Sequence, residues 1–179
     1  MLFYAFFSMI DISEYIRDIV DFPKPGVVFK DITPLLSSHE ASRVCLEQLV
    51  SLVNNQEIDK VVGIESRGFL FGMMLAQELN AGFVPLRKPG KLPFDTYKEP
   101  YSLEYGMDVL EMHEDAIKRG DRVLIHDDVL ATGGTAKAAC NLVERAGGIV
   151  VQCNFIMQID FLRGEDKLYK YDLASVLSY

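Results

Sequence analysis

The sequence is poor in the residues that build disulfide frameworks and zinc sites. Its 179 residues include three cysteines and three histidines. The cysteines, Cys45, Cys140 and Cys153, are odd in number and form no CxxC pair. A chain of this length buries enough surface to fold without a covalent staple. We therefore expect reduced thiols, a cytoplasmic location and no structural zinc site.

Cations are also scarce. Lys and Arg number 18 against 26 Asp and Glu, so the formal net charge is −8. Nucleic-acid affinity rests on neutralising phosphates with Lys and Arg, so this function class is disfavoured. The window 87–98 is an exception, because it sets four cations against Asp95: Arg87, Lys88, Lys91 and Lys98. Such a cluster would attract a polyphosphate, although an ordinary solvated basic loop has the same composition.

The N-terminal segment MLFYAFFSMI is apolar but far too short to cross a membrane, which takes about 20 residues. It lacks the basic start of a signal peptide and is followed by the acidic Asp11 and Glu14. An amphipathic pattern begins just after Met9. We therefore expect Met9 to be an alternative start and residues 1–8 to be dispensable.

Short apolar runs alternate with helical patterns along the rest of the chain. The strand candidates are KVVGI, GFVPL, DRVLIH, GIVVQCNFIM and DLASVL. Helices are expected at about 42–54, 68–79 and 135–146. This alternation predicts one α/β domain over residues 1–179, with a mainly parallel sheet flanked by helices. Ligands of such sheets bind beyond the carboxyl ends of the strands.

Two apolar patterns make further local predictions. Ile12, Ile16, Ile19 and Val20 recur at helical spacing, which predicts an N-terminal helix. Large apolar residues also cluster at 69–74, and we expect all of them to lie in the core: Phe69, Leu70, Phe71, Met73 and Met74.

The segment DDVLATGGT, residues 127–135, carries the sharpest chemical signal. Asp127 and Asp128 follow an apolar strand, and a loop of small residues then leads into a helix: Ala131, Thr132, Gly133, Gly134 and Thr135. Backbone N–H groups at a helix N-terminus bind anions, and glycines allow close approach. Carboxylates accept hydrogen bonds from vicinal hydroxyls. Phosphate and diol together predict a ribose 5-phosphate site, against the alternative of an acidic turn before a Gly-rich helix start.

Two single residues are candidates on weaker grounds. Arg67 follows the strand KVVGI and could clamp phosphate oxygens, or it could simply pair with Glu65. Glu104 stands between Leu103 and Tyr105 in the polar stretch 87–106, where apolar neighbours would raise its pKa. A carboxyl group of that kind is a candidate general acid or base, whereas an exposed loop glutamate is the plain alternative.

The segment VLIHDDVLATGGT resembles the signature of the type I phosphoribosyltransferases, which use 5-phosphoribosyl 1-pyrophosphate (PRPP). Four further segments, in the same order, resemble the adenine-specific branch of that family: DFPKPGVVFKDITPLL, GIESRGF, RKPGKLP and YSLEYG. Together they run from about Asp21 to Thr135. The resemblance implies the type I phosphoribosyltransferase fold, with an N-terminal hood at about 10–36 and a catalytic lid at about 87–106.

The resemblance also implies a reaction, in which adenine and PRPP give AMP and pyrophosphate for purine salvage. The implied pyrophosphate ligands are Arg67, Arg87, Lys88 and Lys91. The implied adenine ligands are Val28, Phe29, Lys30 and Val129, with backbone contacts from Val28 and Lys30 and a ring sandwich from Phe29 and Val129. The phosphate would occupy Ala131–Thr135, the ribose would contact Asp127 and Asp128, and Glu104 would manage the proton on the purine.

Cofactor and partners follow from the same resemblance. Mg²⁺ would be held mainly through PRPP, with no protein ligand, and the chain would form a homodimer. Three alternatives stay open, namely a preference for xanthine, hypoxanthine or guanine, a non-catalytic PRPP-binding regulator and a plain nucleotide-binding domain. His126 departs from the family pattern, which has an aliphatic residue there. Strand alternation separates His126 from Asp127, so we expect His126 to be structural.

Overall fold

The structure, a computed structural model, describes residues 10–102 and 106–179. These residues form two compact units, one up to Gln48 and the other from Leu49 onwards. Glu104 and residues 1–8 lie outside the described residues. The predictions made for them stay predictions.

The first unit is built around a small antiparallel hairpin. Strand β1 (Arg17–Val20) pairs with strand β2 (Val28–Asp31) in the register Arg17↔Asp31 to Val20↔Val28. The connection contains a cis Phe22–Pro23 peptide bond. Helix α1 (Thr33–Ser37) follows, and helix α2 (His39–Ser51) continues into the second unit.

The predicted N-terminal helix is wrong. A 3-10 turn occupies Ile12–Tyr15, and Arg17–Val20 is a strand. Pairing with β2 accounts for this, because it adds ladder hydrogen bonds and places Arg17 2.6 Å from Asp31 and Lys30 2.7 Å from Asp18. A helical spacing of four apolar residues is a weak preference, and strand pairing overrides it.

The second unit contains a five-stranded parallel sheet. Its strands are β3 (Lys60–Ile64), β4 (Gly82–Leu86), β7 (Arg122–Leu130), β8 (Ile149–Gln158) and β9 (Leu173–Ser178). They lie in the order β4-β3-β7-β8-β9. Helix α3 (Gly68–Glu78) joins β3 to β4, and helix α4 (Gly134–Arg145) joins β7 to β8. The predicted α/β class and mainly parallel sheet are confirmed.

A separate antiparallel hairpin stands between β4 and β7 in the chain. Strands β5 (Thr96–Ser102) and β6 (Met107–His113) pair in the register Thr96↔His113 to Ser102↔Met107. Sequence reasoning treated 87–106 as one polar loop, but the chain is extended and paired from Thr96. The assignment of this stretch as a lid stays a prediction.

Helix α3 differs from its prediction on one side. Phe71 is buried as expected, whereas Leu70 and Met73 are each 46% exposed and Met74 is 37% exposed. These three residues lie at positions i, i+3 and i+4 and therefore share one helix face. The prediction that all of the apolar residues here are core is therefore wrong for this face. Within the described residues, no helix is both long enough and apolar enough to cross a membrane.

Candidate active site

A cavity of about 320 Å³ opens at the carboxyl ends of β3 and β7. Its volume lies at the lower end of the range for small-molecule sites. The lining brings together three of the predicted groups: the acidic pair, the small-residue loop and two cations. The predicted residues that line it are Arg67, Lys88, Asp127, Asp128, Val129, Ala131, Thr132, Gly133 and Thr135.

Three of the residues predicted to bind phosphate or pyrophosphate fall outside this lining. Gly134 is the first residue of α4, directly behind the loop. Arg87 and Lys91 belong to the basic loop, residues 87–91, and they interact with the carboxylate of Glu65. Arg87 also donates to the Lys91 carbonyl at 3.2 Å. The roles predicted for these three residues stay predictions.

The loop of small residues is fixed by its backbone. Gly133 has φ +73°, a backbone conformation that residues other than glycine rarely adopt, and α4 starts at the next residue. A Cβ atom on Gly133 would also collide with the backbone carbonyl of Gly164. The first N–H groups of a helix have no partner inside the helix. They and the helix dipole favour an anion at this loop.

The acidic pair belongs to strand β7 rather than following it, because β7 continues to Leu130. The backbone N–H of Asp128 donates to the Asp127 carboxyl at 2.9 Å. Burial, together with the neighbouring Asp128 carboxylate, raises the pKa of Asp127 well above its ordinary value. Sequence reasoning expected two ionised acceptors. A protonated Asp127 would donate as well as accept a hydrogen bond.

Arg67 pairs with the second acid of this pair. Its Nε lies 2.5 Å from Asp128 Oδ2, and Asp128 is 3% exposed as a whole residue. Glu65 binds the basic loop, where it accepts Lys88 N–H at 2.8 Å and Arg87 Nη2 at 3.2 Å. Although burial opposes it, these donors lower the pKa of Glu65.

Two more carboxylates hold the basic loop. Asp108 pairs with the Lys88 ammonium, and Glu111 lies 2.9 Å from the Lys98 ammonium. Glu111 also accepts the Gly90 N–H at 3.1 Å, and the hydrogen bond from Lys98 lowers its pKa. Sequence reasoning missed the roles of Asp108 and Glu111. Alternation along β6 puts Asp108 and Glu111 on opposite faces of the strand. No pattern in the sequence therefore indicated that both would contact the basic loop.

His126 is fully buried, as the structural interpretation expects. Its Nδ1 lies 3.1 Å from Asn154 Oδ1, and the Asn154 amide donates to the Leu49 carbonyl at 3.1 Å. The amide nitrogen of Asn154 is thus used, so its oxygen accepts and His126 carries its proton on Nδ1. Burial lowers the pKa of His126 to about 4. The side chain is therefore neutral near pH 7, although it faces the same side of the sheet as Asp128.

The adenine-binding residues predicted in the first unit have described surroundings of their own. Val28 is 50% exposed. Phe29 packs edge-to-face on Phe22 with ring centroids 5.3 Å apart, and Lys30 pairs with Asp18. Exposure and aromatic packing on this hairpin are compatible with a base-binding role, which stays a prediction.

Known proteins match this chain over nearly its whole length. The phosphoribosyl transferase domain matches residues 32–176. The adenine phosphoribosyltransferase of Flavobacterium johnsoniae is 64% identical over 94% of this chain and 99% of the relative. The crystal structure of adenine phosphoribosyltransferase from Rhodothermus marinus is 56% identical with a TM-score of 0.90, covering 94% of this chain and 96% of that one.

The chain belongs to the adenine phosphoribosyltransferase family. The family resemblance predicted from five segments is thereby confirmed, as is the fold. A further member, the enzyme from Saccharomyces cerevisiae, was crystallised with an imino-altritol bisphosphate and adenine. It is 38% identical with a TM-score of 0.88, and the match covers 96% of this chain and 98% of that one. The family match spans the cavity, the acidic pair and the basic loop.

Proposed function

We propose that this chain transfers the 5-phosphoribosyl group of PRPP to adenine and releases AMP and pyrophosphate. The cavity carries the proposal, because an anion-binding loop, an acidic pair and two cations share its wall. These are the groups that a ribose bearing a 5-phosphate and a pyrophosphate requires. In the reaction, the bond from C1′ to the pyrophosphate oxygen breaks, a bond from C1′ to N9 of adenine forms, and the N9 proton leaves.

The residues act mainly by holding and stabilising charge. The Ala131–Thr135 loop holds the 5-phosphate, and Asp127 and Asp128 hold the ribose hydroxyls. Positive charge develops on the ribose as the C1′ bond breaks, and the nearby carboxylate of Asp128 stabilises it. Arg67 and Lys88 stabilise the departing pyrophosphate. No protein nucleophile is needed in this mechanism.

Magnesium is the proposed cofactor. The cavity acids Asp128 and Glu65 are engaged by Arg67 and by Arg87, and the described residues contain no group of three or more His, Cys, Asp or Glu able to hold a metal. Such a donor set fits an ion that takes its ligands chiefly from PRPP and water. When bound, Mg²⁺ supplies charge neutralisation at the pyrophosphate.

Glu104 is the proposed proton-transfer residue, and Val28, Phe29, Lys30 and Val129 are the proposed adenine ligands. Of these, Val129 lines the cavity. A Glu104→Gln variant should keep PRPP binding and lose roughly 10²-fold in turnover. Unchanged turnover would remove Glu104 from the mechanism.

The exposed face of α3 supports a homodimer. Leu70, Met73 and Met74 form an apolar stripe that a second copy of the chain would cover. Sedimentation analysis should give a dimer for the wild type and a smaller species for Met73→Glu. A wild-type monomer at micromolar concentration would contradict the proposal.

The buried free thiols of Cys45, Cys140 and Cys153 support a reducing, cytoplasmic location.

Product analysis with adenine, PRPP and Mg²⁺ tests the function directly. AMP and pyrophosphate should form in equal amounts, and omission of PRPP should abolish both. Faster turnover of hypoxanthine, guanine or xanthine would overturn the choice of base. PRPP at 100 times its Kd should add about 2.7 kcal/mol to the free energy of unfolding. Protection without any product would instead indicate a PRPP-binding regulator.

A further inference from the structure

Lys88 meets two residues of the β5–β6 hairpin, Tyr101 and Asp108, to which sequence reasoning gave no individual role. Its ammonium donates to the Tyr101 hydroxyl at 2.6 Å and to the Asp108 carboxylate. The same ammonium lies 5.2 Å from the centroid of the Tyr101 ring. Tyr101 and Asp108 are directly opposite each other in the hairpin register. The hairpin therefore supplies two hydrogen-bond acceptors for the ammonium of one basic-loop lysine.

Both partners of Lys88 are themselves fixed. Tyr101 is 6% exposed and belongs to the hydrophobic core of the second unit. Asp108 receives the Val109 N–H at 2.8 Å on its other oxygen, and the Tyr101 hydroxyl lies 3.3 Å from the oxygen that binds Lys88. Although burial opposes it, the hydrogen bonds that Lys88 donates to Asp108 and Tyr101 raise the pKa of Lys88.

These two acceptors hold the Lys88 ammonium at the cavity wall. Lys88 and Tyr101 line the cavity, whereas Asp108 lies outside the lining. An ammonium has three donors. Among the described residues, two of them meet Tyr101 and Asp108, which leaves the third for a ligand in the cavity. A flexible lysine held in this way loses less conformational freedom when it binds an anion.

We propose that Asp108 and Tyr101 are positioning residues that orient the Lys88 ammonium toward the pyrophosphate of PRPP. This inference rests on the proposed function. Positioning and charge masking predict opposite signs for one measurement. If Asp108 merely masked Lys88, removing its charge would leave the cavity more positive and tighten anion binding. If Asp108 positions Lys88, the same change weakens binding despite the gain in positive charge.

The experiment compares Asp108→Asn and Tyr101→Phe with the wild type. The readouts are KM for PRPP, KM for adenine, kcat, and the Kd of inorganic pyrophosphate with Mg²⁺ by calorimetry. Asp108→Asn should raise KM for PRPP and Kd for pyrophosphate roughly 3- to 10-fold, the range for ordering one long side chain. Tyr101→Phe should act in the same direction with a smaller effect, and KM for adenine should change less than twofold with either variant.

Asp115→Asn is the matched control. Asp115 is exposed in the turn after β6, outside the cavity lining, and its change alters the net charge equally. It should leave all four constants within twofold of the wild type. Unchanged or tighter pyrophosphate binding in both folded hairpin variants, checked by thermal unfolding, would overturn the inference.

A double-mutant cycle shows whether Asp108 acts through Lys88. In a Lys88→Ala background, Asp108→Asn should cause no further weakening of pyrophosphate binding. A further loss equal to that in the wild-type background would overturn the inference, because the effect would not pass through Lys88. Failure of the proposed function is a separate result, namely no AMP from the wild type. An active wild type with unaffected hairpin variants removes only the positioning role.

Discussion

The two regions that we propose bind the anionic groups of PRPP are held by different means. The phosphate loop, residues 131–135, is held by its backbone, with Gly133 at φ +73° against the Gly164 carbonyl. The basic loop, residues 87–91, is held by side chains, since Glu65, Asp108 and Glu111 bind its charges and its N–H groups. A site made by backbone geometry tolerates almost no change at one position, whereas a site made by ion pairs spreads its dependence over several residues.

Gly133→Ala should give the largest effect. The added methyl group meets the Gly164 backbone, and positive φ costs a non-glycine residue about 1–3 kcal/mol. Displacement of the loop should lower kcat/KM for PRPP by roughly 10²-fold or more, as expected when a preorganised charge-stabilising site is lost. Steady-state kinetics and PRPP protection against thermal unfolding check this.

Gly147→Ala is the control for Gly133→Ala. Gly147 also has positive φ, at +91°, but the nearest atom to an added Cβ would be at an ordinary 3.4 Å. This variant should lose stability and keep its KM for PRPP. Equal kinetic losses in both variants would mean that backbone strain alone, and not the contact with Gly164, explains the first result.

Glu65→Gln should give an intermediate effect at the basic loop. The amide oxygen can still accept one hydrogen bond, but the charge that holds Arg87 is lost. Charge-assisted bonds are about twice as strong as neutral ones, so we expect KM for PRPP to rise roughly 10-fold with a smaller change in kcat. Steady-state kinetics with PRPP varied at saturating adenine measures this. A loss as large as that of Gly133→Ala would remove the contrast between the two regions.

His126→Val should have the smallest effect on activity and a clear one on stability. The pKa of His126 is lowered to about 4 from an ordinary 6.5, so the unfolded chain binds more protons between these values. Stability from this residue is therefore complete above pH 6.5 and is lost as pH falls toward 4, by at most about 3 kcal/mol. Urea unfolding at pH 7.5 and 4.5 should show a smaller pH difference in the variant. An unchanged pH difference would exclude His126 as its source.

The contrast between the two regions also explains which parts of the site could be predicted from sequence. Gly133, Gly134 and the acidic pair are neighbours in the chain, so the nine residues 127–135 are enough to predict a common site. Tyr101 lies 13 positions and Asp108 20 positions after Lys88, and only strand pairing brings the three together. Arg67 and Asp128 are 61 positions apart. Single-sequence reasoning has no means of finding such pairs.

The local errors have the same origin. The Ile12–Val20 pattern predicted a helix because its period was read without the partner strand Val28–Asp31. Residues on α3 were assigned to the core by hydrophobicity alone, but a helix that packs on one side of a sheet leaves another face outside it. In both cases a neighbour in space, absent from the local pattern, decided the outcome.

The sequence by itself determined the parallel α/β architecture, the loop of small residues before α4 and the family, because strand runs, glycines and ordered motifs act through neighbouring residues. The tertiary structure alone decided which carboxylate holds which cation, the raised pKa of Asp127 and the lowered pKa of His126. These properties depend on burial and on distances between remote residues, and both exist only after the chain has folded.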